Sequence, residues 1–231
     1  MARTNPFPWL LLLTVACGPT EQEKSQVALD VYEANATRVL ARRDAMRTAF
    51  ARVSGLGAEE KGRAFDLGRK PPLDISTWPK NALLVSDEEG IAARFHSVER
   101  LRDGFEIHAN DSLADVEESA HNVIKAWDRL RYLCVIEVLE LREPRMTGDS
   151  EHKKTGITLG FVPGEAKGRA HVFDLEDGKY MGSVPIQARN SPRVKLRPTE
   201  FDEQIKFELR RKLEEAATTE LQFWDEVNGK K

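Results

Sequence analysis

Five histidines, two cysteines and a scatter of carboxylates are the residues of this 231-residue chain with chemistry to offer. The histidines stand at 96, 108, 121, 152 and 171. No two are spaced to ligate a metal from one helical turn or one strand, and His-Glu-x-x-His, His-x-His and Cys-x-x-Cys are all missing from the sequence. The pattern therefore points to no metal and no cofactor. His171 alternates with Phe173 and reads as a structural residue of a strand, while His108 and His121 bracket a helix start. Nucleophilic catalysis has no clearer signature. Gly182-Ser183-Val184 lacks the second glycine of a nucleophile elbow and falls inside a predicted strand. Gly55 and Gly57 do not make a phosphate loop, because no strand precedes them and no Gly-Lys-Ser/Thr follows. Cys134 lies mid-strand among apolar neighbours, the setting of a buried, inert thiol. Glu137 and Glu140 interrupt that same apolar run, and their spacing places them on opposite strand faces, each near solvent or paired with an arginine.

The cations are patterned too. On the predicted C-terminal helix, Lys206, Arg210, Arg211 and Lys212 mix with Glu203, Glu208, Glu214 and Glu215, which reads as a solvated face with local pairs. Arg193, Lys195 and Arg197 alternate with Val194 and Leu196, the pattern of a short edge strand protected by charge. Brought together in space, Arg193, Lys195, Arg197, Arg210 and Arg211 would form an anion-binding patch for lipid phosphates or a polyanionic polymer. Overall, Lys+Arg 35 against Asp+Glu 38 gives a net charge of −3. That balance, with no aromatic interleaving of the cations, points away from nucleic acid. Two cysteines exclude a disulfide scaffold and a Cys-rich zinc site.

One apolar run stands apart. Trp9 to Ala16 follows a single cation, Arg3, and spans only about 12 Å as a helix against a hydrocarbon core of about 30 Å. It fits a secretory h-region, and no later run is long enough to span a bilayer. Leu13-Thr14-Val15-Ala16-Cys17-Gly18 resembles the lipobox of a bacterial lipoprotein signal peptide, with the obligatory Cys and a small residue before it; Thr14 and Val15 differ from the usual pattern. The resemblance covers the first tenth of the chain and implies location. Cleavage before Cys17, diacylglycerol on its sulfur and acylation (palmitate or similar) of the new amino terminus would anchor the protein by several chains. Gly18, where Asp often marks inner-membrane retention, implies the outer membrane, facing the periplasm. Thr14-Val15-Ala16 also reads as an ordinary cleavage site, which would release a soluble, secreted binding protein.

The surrounding helices and strands follow from periodicity. After the signal peptide (1–16), residues 17–25 read as the lipidated Cys and a polar tether, and 26–54 as an amphipathic helix, docked or projecting, stopped by Ser54-Gly55-Leu56-Gly57 with Gly available for a left-handed cap. Its second half is cationic at Arg38, Arg42, Arg43, Arg47 and Arg52. Residues 55–81 are rich in Gly, Pro and charge and read as a linker or irregular segment. Residues 82–231 read as an α+β domain with a mainly antiparallel sheet, an inserted helix and a long C-terminal helix. Within it, strands are expected at Ala82–Ser86, Ile91–Val98, Gly104–Ala109, Tyr132–Leu141 and Ile157–Val162. A hairpin joins Arg169–Leu175 to Lys179–Ala188 through Glu176-Asp177-Gly178. Pro185 demotes its second strand to an edge. Helices are expected from Asp111 or Ser112 through Trp127, and from Pro198-Thr199 to Asn228. The functional expectation is a membrane-anchored envelope protein with a non-enzymatic binding or assembly role. It would partner an envelope protein or an anionic lipid or polymer. The alternative is an envelope enzyme whose site is assembled from scattered His and carboxylate residues.

Overall fold

A computed structural model describes residues 18–68, 70–75, 80–103, 110–153, 156–191 and 201–228. The first helix, α1 (Glu21–Gly55), starts earlier than its apolar stripe suggests. Thr20 caps it: its hydroxyl accepts from the Glu23 N–H at 3.2 Å while the Glu23 carboxylate accepts from the Thr20 N–H at 2.8 Å. This capping box satisfies two of the orphan donors, so the polar stretch expected as a tether is helical from Glu21 onward. At the other end Leu56 is extended at φ −67°, so the expected left-handed glycine cap is not used. Ala28, Val31, Tyr32, Val39, Met46, Ala49 and Val53 are buried, and the helix is docked rather than projecting.

A short helix α2 (Ala58–Gly62) follows, then β1 (Ala82–Val85) and α3 (Glu88–Asp103). The strand expected at Ile91–Val98 is part of α3. Ile91, Phe95, Val98 and Leu101 are buried while Ala92, Ala93 and His96 are exposed, a helical period that short apolar runs do not reveal unaided. The strand expected at 104–109 lies outside the described residues. Helix α4 (Leu113–Asp128) is capped by Ser112, which exchanges hydrogen bonds with Asp115, and buries Val116, Ala120, Ile124 and Trp127.

The remaining strands are β2 (Tyr132–Arg142), β3 (Arg145–Lys153), β4 (Gly156–Val162), β5 (Glu165–Asp174) and β6 (Tyr180–Arg189), followed by α5 (Phe201–Asn228). The main sheet has the order β1-β2-β5-β6 and is mixed: β1 runs parallel to β2, whereas β2–β5 and β5–β6 are antiparallel. The β2–β5 ladder ends at Arg142↔Glu165, and a second ladder, β3–β4, resumes at Arg145↔Val162. The two ladders follow one another along the chain as successive stages of one long hairpin. The tight turn from β5 to β6 uses Gly178 at φ 65°, as Asp177-Gly178 requires.

Both faces of the main sheet are covered. Leu83, Leu133, Val135, Phe173 and Tyr180 face the cluster formed with α1, α3 and α4. Ala82, Tyr132, Cys134, Ile136, Val172, Val184 and Ile186 face Leu209, Leu213, Ala217 and Leu221 of α5. The segment between α1 and β1 wraps round the β6 edge to link the two layers. Lys61 of α2 reaches Glu137 on the α1 side, whereas Phe65, Leu67, Leu73 and Ile75 pack with the α5-side cluster. At the crossing, Ser183 N–H donates to Arg63 O at 2.9 Å and Asp66 N–H donates to Met181 O at 3.1 Å, with an Ala64–Ser183 bridge between. The expected linker is thus a strap that closes the sheet edge.

Gly182 makes that closure sterically feasible. It holds φ +116°, and a Cβ there would lie 2.4 Å from the Ala64 carbonyl oxygen. Gly178→Ala, in open space at φ +65°, should cost about 1–2 kcal/mol from the backbone alone. Gly182→Ala should cost clearly more, because the strap must also move. Urea unfolding of both variants checks this; equal losses would refute the close seating of the strap on β6.

Candidate functional site

Two features gather around β2. The first is its free edge. β1 pairs with β2 only from Tyr132 to Val135, so among the described residues Ile136–Arg142 have a strand neighbour only on the β5 side. An open ladder edge offers backbone N–H and C=O groups to another chain, and proteins commonly blunt such edges with charge or cover. Here the edge carries Val138, Leu139 and Leu141 at 44%, 58% and 57% exposure. A β-bulge between Val138 and Glu140 sets their directions. Val138 sits opposite Gly168, Glu140 opposite Lys167 and Leu141 opposite Ala166. The added residue turns both Val138 and Leu141 toward α5, where they line an apolar cleft of about 290 Å³ with Ala166, Leu209 and Leu213. Gly168 permits the bulge, since a Cβ there would lie 2.1 Å from the Glu137 carbonyl oxygen.

The same bulge corrects the expectation for the two glutamates. Glu137 pairs across to Arg169 and Glu140 to Lys167, positions of equal parity on β5, so both carboxylates lie on one face instead of opposite faces. At the cleft, Lys206 pairs with Glu143 at 3.7 Å and Arg210 with Asp87; on the opposite face of the strands Lys167 pairs with Glu140 at 2.8 Å and Arg142 with Glu165 at 2.9 Å. A second cleft of about 670 Å³ runs along β1, lined by Lys80, Leu84, Ala93, Arg211 and Thr219 among others.

The second feature is a buried polar chain. His171, fully buried, contacts Tyr180 OH through Nδ1 at 2.9 Å and Glu137 Oε2 through Nε2 at 3.0 Å. Glu137 is also paired with Lys61 of the strap. Burial would raise the Glu137 carboxyl, but Lys61 and His171 outweigh it and hold it below the usual carboxylate range. An ionised Glu137 only accepts, so Nε2 donates to it and Nδ1 of the neutral ring accepts from the tyrosine hydroxyl. Burial pushes the His171 imidazolium down, which favours that neutral ring, and pushes the Tyr180 hydroxyl up, which keeps its proton. Nearby, Arg169 donates to the Lys61 carbonyl at 2.9 Å and to Ser183 Oγ at 2.8 Å, and Ser183 Oγ donates to the Lys61 carbonyl at 2.6 Å. A further knot surrounds the buried Asp174, which accepts from Lys70 at 2.6 Å and from Arg131 at 3.2 Å. Burial acts to raise Asp174, and Lys70 and Arg131 override it to keep the carboxyl low.

These polar chains tie strap to sheet. His171 reaches the strap through Glu137, which pairs with Lys61, and the Ser183 hydroxyl donates to the Lys61 carbonyl directly. Cys134 is fully buried with its thiol pushed up to about 12 by burial. Of the sequence-derived anion patch, Arg193, Lys195 and Arg197 lie outside the described residues, as does Cys17. Arg210 is engaged with Ser86, Asp87 and Glu214, and Arg211 with Glu215. Among the described residues no cluster of three or more His, Cys, Asp or Glu could hold a metal, and no helix is long and apolar enough to cross a membrane. Lys61 carried no sequence signal, because its role arises only when the strap meets β2. The bulge at Leu139 was equally silent. Comparison of the chain with family models, curated proteins and solved structures finds no match.

The His171 environment sets an acid response. Its folded value lies below the unfolded value of about 6.5, so in that window the unfolded chain binds a proton that the folded one refuses. Stability should therefore be complete above about pH 6.5 and fall as pH drops through the window. Glu137 and Asp174, held low, add a second loss below about pH 4.5. His171→Gln should flatten the first phase and keep the second. Urea midpoints measured from pH 4 to 8 decide it, and an unchanged profile in the variant would remove His171 as the cause.

Proposed function

We propose that this chain is a lipid-anchored protein of the bacterial cell envelope with a non-enzymatic binding or assembly role, held at the outer membrane by acylated Cys17 and facing the periplasm. The observation that carries the binding role is the open, apolar edge of β2. Among the described residues this edge has no strand neighbour beyond Val135, and with its exposed Val138, Leu139 and Leu141 that is what an interaction surface presents. The engagement of His171, Ser183 and Glu137 in fastening the strap supports the same reading, since these groups are committed to structure.

The anchor shapes how such a surface would be presented. Only Gly18, Pro19 and Thr20 separate Cys17 from α1, a reach of at most about 10–11 Å when extended. The body would then sit directly on the bilayer surface, with the start of α1 at the headgroups.

Two measurements test the reading. The Cys17→Ser chain should lose acyl labelling and leave the membrane fraction; unchanged labelling and fractionation would overturn the anchor. A photo-reactive residue placed at Leu139 in the anchored protein should give covalent protein adducts in cells. The absence of any adduct would overturn the binding role.

A further inference from the structure

We propose that the free edge of β2 pairs with the same edge of a second copy of this chain, joining two sheets antiparallel across a two-fold axis near Glu140. The inference rests on the binding role above and names its partner. Backbone donors and acceptors along Ile136–Arg142 call for an extended strand as occupant, not a small molecule or a helix. The edge is also complementary to itself. Residues directly opposite in an antiparallel pair share a face, and a two-fold axis repeats each pair. With Leu139 bulged out, setting Glu137 opposite Arg142 of the second copy sets Val138 opposite its Leu141, and symmetry makes both contacts twice.

The bulge is what brings this register into phase. In a regular strand Val138 and Leu141 would point to opposite faces and could not meet across the axis. Here both face α5 and line one cleft, so pairing would bring the two clefts together and cover four exposed apolar side chains. Glu137 contacts Lys61 through Oε1 and His171 through Oε2, and its further lone pairs can accept a guanidinium. The opposing term is the approach of two Glu140 carboxylates at the axis, each already neutralised by Lys167 at 2.8 Å. Leu139, on the bulge, adds exposed apolar surface at the seam.

The test uses the full, membrane-anchored chain. Glu140 is a solvent-exposed side chain, so Glu140→Cys leaves the fold intact, and the buried Cys134 does not compete for oxidation. Mild oxidation of membranes should convert the Glu140→Cys chain to a disulfide dimer, while the unsubstituted chain and Phe223→Cys, exposed on the distal half of α5, should stay largely monomeric. Adding Arg142→Glu should lower the dimer yield about fivefold or more, since each reversed pair becomes repulsive. No dimer from Glu140→Cys, or as much from Phe223→Cys, would overturn the inference. The adduct at Leu139 separates the two levels: a second copy of this chain supports both, and a different protein alone overturns self-pairing but keeps the binding role. No adduct at all overturns both.

Discussion

A sheet buried on both faces by one chain forces that chain to cross from one side to the other, and the rest of this fold depends on how the crossing is made. The α1, α3 and α4 layer and the α5 layer each bury an apolar face of the same four strands. The strap that follows α1 passes round β6 between them, with Lys61 on one side and Phe65, Leu67, Leu73 and Ile75 on the other. Unpaired polar groups at such a crossing are costly, and several of the strap's described ones find partners on the sheet and on α5. The Arg63 carbonyl accepts from β6, Asp66 N–H donates to it, the Glu137–His171–Tyr180 chain receives Lys61, and Asp174 receives Lys70. The Tyr132 hydroxyl then donates to the Pro71 carbonyl at 2.7 Å, and Asp225 of α5 accepts from the Leu73 N–H. The polar residues that resemble catalytic groups are the fastenings of this crossing.

Closing one edge leaves the other side of the sheet to be resolved, and it is resolved differently along its length. β1 is short and pairs only with the first four residues of β2. Among the described residues no strand adjoins β2 on that side beyond Val135, and a single extra residue in β2 fixes what this stretch shows. The bulge puts Val138 and Leu141 over the α5 cleft and leaves Glu140 paired with Lys167 on the other face. Strap and bulge therefore divide the labour: one fixes a closed, hydrogen-bonded edge and the other an open, apolar one.

Much of the architecture was legible in the residues. Apolar spacing located α4 and α5, the continuous run from Tyr132 placed β2 next to the centre, and Asp177-Gly178 marked the hairpin. Pro185 marked β6 as an edge. The misreading at Ile91–Val98 came from an apolar pattern short enough to fit either period, settled by which side chains the α1 layer buries. The tether was misread because Thr20 and Glu23 act by capping, a local signal that polarity alone conceals. The parallel pairing of β1 with β2 depends on two intervening helices packing against α1, which no local pattern encodes.

For the site the division is sharper. The apolar residues on either side of Cys134 were enough to mark it as buried, and the structure places both Cys134 and His171 fully inside. Lys61 reaching Glu137, the need for glycine at 182 and the shared face of Glu137 and Glu140 come only from the packed chain. Each of these depends on a backbone far away in sequence approaching within van der Waals or hydrogen-bond distance. A one-residue bulge shifts strand parity without altering composition or period, so the open edge of β2 acquires its direction only when β5 is laid beside it.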